Sequence, residues 1–79
     1  MVRRVLRFTF SPHRVTQPII YQLGKQFGVT TNIRRANITK DQGWVILELE
    51  GDDQDVEKAV RWAEKEGLIV EPVEPWQLD

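Results

Sequence analysis

Seventy-nine residues and 9.3 kDa are the length of one domain, so one compact domain and not a two-domain enzyme is expected. With no Cys there is no disulfide framework and no thiolate metal site, so the core must come from helix-on-sheet packing or from oligomerisation, and a reducing compartment suits the chain. Hydrophobic content of 41% with 29% charged residues argues against disorder, while the net charge of -1 hides a division: residues 1–40 carry eight Lys/Arg and no Asp or Glu, and residues 41–79 carry three Lys/Arg against twelve Asp/Glu. In one small fold these halves, +8 and -9, are expected to interleave and face one another.

From Arg3 to Phe10 apolar and polar residues alternate, with Leu6, Phe8 and Phe10 on one face and Arg3, Val5, Arg7 and Thr9 on the other, the pattern of a half-buried strand that Ser11-Pro12 ends. A helix follows from about Thr16 or Gln17 to Phe27. Its apolar spacing is Ile20, Leu23, Phe27, with Pro18 in the first turn and Gly28 at the C-terminal cap. Val29 to Ile38 and Trp44 to Glu50 read as two strands of a hairpin joined by Lys40-Asp41-Gln42-Gly43. In the second of them Val45, Leu47 and Leu49 share the face predicted to lie under helices, and Trp44, Ile46, Glu48 and Glu50 share the open one. Asp52-Asp53-Gln54-Asp55 offers N-cap candidates and first-turn negative charge to a helix with Val56, Ala59, Val60 and Ala63 on one side, stopped by Glu66-Gly67. Leu68 to Val73 is a last extended run. The order βαββαβ predicts an α+β, ferredoxin-like sandwich over residues 1–73, with a four-stranded antiparallel sheet, two helices on one face, and a C-terminal tail over residues 74–79.

Nucleophilic catalysis needs a hydroxyl or thiol beside an oriented base, and the only Ser and the only His, Ser11 and His13, have no carboxylate near them in sequence. No enzymatic activity is expected. One His without Cys makes no transition-metal site, and the aspartates before the second helix lack the spacing of a calcium loop, so neither metal nor cofactor is expected. The five glycines form no nucleotide fingerprint. Gly24 lies inside the first helix, where a close approach to the sheet would compensate its low helix propensity. Nucleic acid is not expected either: of the open-face positions only Trp44 can stack on a base, and Glu48 and Glu50 would repel phosphates. Trp44 and Ile46 near Val5 fit a protein contact better, which Trp62 and Trp76 could extend. No run approaches a membrane span or a secretory signal, which leads to the expectation of a soluble, cytoplasmic protein.

Phe27-Gly28-Val29-Thr30-Thr31-Asn32-Ile33-Arg34 resembles the signature of the NIL domain, a small family named for an Asn-Ile-Leu triplet at this place. The resemblance extends over about Val5 to Val73 through Leu6-Arg7-Phe8-Thr9-Phe10, Pro18, Leu47-Glu48-Leu49-Glu50-Gly51 and Glu66-Gly67-Leu68-Ile69-Val70-Glu71-Pro72-Val73. Such domains regulate the ATPase subunit of bacterial methionine importers and also occur alone or beside iron–sulfur modules. The resemblance implies an ACT-like domain that pairs with a second copy and binds an amino acid, methionine in the importers, near the interface, with Asn32 contributing. A side-chain amide suits a zwitterion, since it donates to a carboxylate and accepts from an ammonium without adding charge. Arg34 replaces the Leu of the triplet, and Ser11-Pro12-His13-Arg14 replaces a Gly after the first strand, which opens the site to a more anionic ligand.

The resulting expectation is a non-enzymatic regulatory module, a homodimer with an amino-acid site at Asn32, Ile33, Ser11, His13 and Arg14, its output passed to a protein partner. The alternative is an interaction subunit that docks on a larger complex through Trp44, Ile46 and Trp76, with the ligand pocket lost.

Overall fold

The computed structural model describes residues 1–10, 18–39 and 42–74. Alternation carries β1 (Val2–Phe10), with Leu6, Phe8 and Phe10 buried and Val5, Arg7 and Thr9 only partly covered. After Pro18, whose carbonyl accepts the Gln22 N–H at 3.0 Å, α1 runs Ile19–Phe27 and ends on left-handed Gly28, whose N–H donates to Gly24 at 3.2 Å. Its buried pair is Ile19 and Leu23, with Ile20 and Phe27 packed against the rim of the core, so the buried stripe is turned by one residue from the predicted Ile20, Leu23, Phe27. The predicted start at Thr16 or Gln17 lies outside the described residues.

β2 (Thr30–Ile38) and β3 (Gly43–Gly51) form the hairpin, closed where the Thr39 N–H donates to the Gln42 carbonyl at 2.8 Å. α2 is Asp53–Lys65, with Asp52 at the N-cap position, Asp53 and Asp55 in the first turn, and Val56, Ala59 and Ala63 buried. The Asp52 side chain makes no cap hydrogen bond, so the predicted aspartates act through charge at the positive helix end. The helix ends in a Schellman turn: the Leu68 N–H donates to Ala63 at 3.1 Å, the Gly67 N–H to Glu64 at 3.0 Å, and Gly67 has φ 95°. β4 (Ile69–Pro72) is shorter than the predicted Leu68 to Val73.

The strands lie in the order β2-β3-β1-β4 with every neighbouring pair antiparallel, the predicted ferredoxin-like βαββαβ sandwich. Leu6, Phe8, Phe10, Val45, Leu47 and Leu49 face Ile19, Leu23, Val56, Ala59, Ala63 and Leu68 in one cluster. The Val73 N–H donates to the Val5 carbonyl at 3.2 Å, which makes Leu6 and Pro72 a pair without ladder hydrogen bonds, where proline's missing N–H leaves nothing unpaired. No described helix is long and apolar enough to cross a membrane.

Candidate functional site

The helices cover one side of the sheet, and the register dictates what the other side presents. Across it Asn32 stands opposite Glu48 and Glu48 opposite Val5; one row on, Arg35 and Arg7 flank Ile46; beyond them Asn37 and Thr9 flank Trp44. Asn32 is exposed, at the free edge of the sheet. Glu48 is the centre of the first row. Its side chain is only 15% exposed, with Arg34 Nη2 3.9 Å from Oε2 and Arg3 Nε 3.9 Å from Oε1. Arg3 also donates from Nη2 and Nε to Glu50 Oε2, at 2.9 and 3.1 Å. The Glu50 hydrogen bond, with the charge of Glu48 behind it, raises the Arg3 pKa above its ordinary value and keeps the guanidinium charged.

A β-bulge builds this cluster. In a regular strand Ile33 and Arg34 point to opposite faces and Arg34 and Arg35 do likewise. Here the register shifts between Ile33, opposite Leu47, and Arg35, opposite Ile46, and Arg34 is the extra residue. Its guanidinium reaches Glu48 on the open face, the face that the register also assigns to Arg35, so adjacent arginines and Asn32 share one side. Ile33 lies on the other side, 57% exposed where the helix layer leaves the sheet edge uncovered. Asn32 and Ile33, both predicted at the ligand site, therefore stand on opposite faces.

Chemically the row offers a carboxylate, a guanidinium and an amide within one small area. Glu48 can accept from an ammonium, Arg34 can donate to a carboxylate, and Asn32 can do either. Glu48 is the member that sequence reasoning missed, having been read only as a repeller of phosphate. Its signal lay in the hairpin, because a register that pairs the strand carrying Asn32 with the strand carrying Glu48 decides which residue the amide faces. Two grooves, of about 310 and 410 Å³, lie elsewhere: one beside Phe27 and Trp62, the other beside Arg4, Val60 and Pro72. Neither includes Asn32.

Of the predicted contact residues, Trp44 is partly covered, and Ile46 is 5% exposed although it stands outside the core cluster. Val5 is a row away from Ile46, which has Arg7 opposite it on β1. Trp62 is partly buried against Phe27, ring centroids 5.9 Å apart and planes at 53°. Ser11, His13, Arg14 and Trp76 lie outside the described residues.

The family model of the NIL domain matches residues 4–72. The chain is 33% identical over 70 residues to the methionine import ATP-binding protein MetN 2 of Acinetobacter baylyi, a match that covers 84% of this chain and 20% of that protein. It is 34% identical over 71 residues to the L-aspartate semialdehyde sulfurtransferase iron-sulfur subunit of Methanocaldococcus jannaschii, covering 90% of this chain and 53% of that one. It thus spans about half the length of one relative and a fifth of the other. The crystal structure of the C-terminal domain of an ABC transporter ATP-binding protein from Enterococcus faecalis superposes with a TM-score of 0.80 at 21% identity, covering 91% of this chain and 84% of that chain, a likeness of fold.

Proposed function

We propose, from the premise that the chain belongs to the NIL domain family, that it is a non-enzymatic, cytoplasmic regulatory module that binds an amino acid, methionine or a relative, as a homodimer. The observation that carries the reading is the row Asn32, Glu48, Arg34, which presents both charges a zwitterion needs beside an amide that serves either. One copy leaves this row on an open surface at the free edge of β2, and small-molecule sites are concave, so a second copy is what would close it. Regulation is then linkage. A ligand that binds the dimer, or a partner-competent form of it, more tightly than the alternative shifts the population by that difference in affinity.

A thermal-shift screen of the twenty amino acids, run on wild type, Asn32→Ala and Glu48→Gln with sedimentation in parallel, tests this. At a hundredfold excess over Kd the bound state gains about 2.7 kcal/mol, a Tm rise of roughly 10–20 °C for a domain of this size. The expected result is a rise selective for methionine or a relative, lost in both variants and absent for the N-acetylated amino acid, which has no ammonium for Glu48. A flat screen would overturn the ligand reading and favour a subunit that docks on a protein partner through Trp44 and Ile46.

A further inference from the structure

The long-range ion pairs of the described residues each join the basic half of the chain to the acidic half. Arg3 pairs with Glu50 at 2.9 Å, Arg4 with Asp53 at 3.0 Å, Arg7 with Glu71 at 3.2 Å and Arg34 with Glu48 at 3.9 Å. The acidic half holds three cations of its own, Lys58, Arg61 and Lys65, and all three line one groove. The positions fall at i, i+3 and i+7 of α2, which is one face of the helix. Trp62 lies between them on the same face, and with Phe27 from α1 it completes the groove. Among the described residues neither Lys58 nor Lys65 has an ion-pair partner, and Arg61 has only Glu57 of its own helix, at 3.4 Å, a carboxylate that Arg4 also approaches at 3.9 Å. The arginines of the basic half named above are paired across the fold. These three are not, and they line one groove with Trp62 and Phe27.

We infer that this groove is a binding site for a small anionic ligand with a planar ring, of the nucleoside phosphate class. Cations spaced along the groove supply charge-assisted hydrogen bonds to phosphate oxygens, and the partly exposed indole among them offers aromatic surface on which a base stacks. Lys58 and Lys65 stand about 10 Å apart along the helix, so a ligand seated at Trp62 has a cation at either end. The groove's volume of about 310 Å³ is at the lower end of small-molecule sites, the size of a mononucleotide rather than of a dinucleotide. Asn32 is not part of this groove, so the inference stands apart from the amino-acid site.

The test uses the full chain with Trp44→Phe and Trp76→Phe, which leaves Trp62 as the sole indole, and circular dichroism to show that the fold is kept. ADP, adenosine and pyrophosphate are titrated while Trp62 fluorescence is followed, and ADP binding is measured by calorimetry on the wild-type chain. Expected are saturable quenching by ADP, affinity at least tenfold weaker for adenosine and for pyrophosphate, and a further tenfold loss for ADP in Lys58→Gln/Lys65→Gln. Asn32→Ala should leave ADP binding unchanged. Absence of saturable ADP binding at millimolar concentration in both assays would overturn the inference. So would pyrophosphate or adenosine binding as tightly as ADP, or a lysine variant that binds as the wild type does.

Discussion

Leu47 and Ile46 are neighbours in β3 and almost equally hidden, at 0% and 5% exposure, but different things hide them. Leu47 is closed in by Phe8, Leu23 and the rest of the core cluster, where removing a side chain leaves a cavity that close packing cannot fill. Ile46 is on the opposite face, flanked in the register by Arg7 and Arg35, long side chains of a kind whose hydrocarbon stems cover apolar surface and can resettle. Urea denaturation should therefore separate the two. Leu47→Ala is expected to cost toward the top of the roughly 2–5 kcal/mol range for such truncations, and Ile46→Ala about 2 kcal/mol or less. Equal losses would mean that the open face is packed as tightly as the core. The pair also shows what the sequence made legible: alternation assigned both residues to their faces, but exposure on the polar face depends on side chains from neighbouring strands, which alternation within one strand does not report.

At the scale of the elements, two glycines, one inside a helix and one just past the end of the other, should respond to alanine with opposite signs. Gly24 sits inside α1, where a Cβ would meet only the Val29 carbonyl oxygen at 3.5 Å, an ordinary contact. The predicted close approach to the sheet is thus not what keeps a glycine there, and Gly24→Ala should stabilise by about 0.5–1 kcal/mol through helix propensity alone. Gly67 has φ 95° at the end of α2, outside what an L side chain adopts comfortably, so Gly67→Ala should destabilise by about 1–2 kcal/mol. Thermal unfolding of the two variants beside wild type checks both signs at once; stabilisation by both, or destabilisation by both, would contradict the account. Glu66-Gly67 was readable as a helix stop because its backbone requirement is local. The bulge at Arg34 was not, since it exists only as a mismatch between two strands, and reading β2 as regular would separate Arg34 from Arg35.

For the molecule as a whole, the division of charge and the order of the strands describe one design. β1 comes first in sequence but pairs with β3 and β4, and β2 pairs only with β3, so every strand of the basic half needs a strand of the acidic half beside it. Guanidinium groups on β1 and β2 then meet carboxylates on β3, α2 and β4, and the +8 and -9 halves that could have meant a nucleic-acid arm and an acidic tail neutralise one another across the sheet. A break in the turn between β2 and β3 makes this measurable. Peptides 1–40 and 41–79 are each expected to be unfolded alone by circular dichroism, because the first holds no two strands that are neighbours in the sheet and the second holds β3 and β4 without the β1 that lies between them. Mixed in equal amounts at low salt they should regain the helical and strand signal. Their affinity should fall at least tenfold between 20 mM and 500 mM NaCl, since exposed charges attract over a Debye length of about 20 Å at the first concentration and about 4 Å at the second. Either peptide folding alone would show that the core does not depend on the interleaving, and reassembly indifferent to salt would show that apolar burial on β1 and β3 brings the halves together without help from their charge.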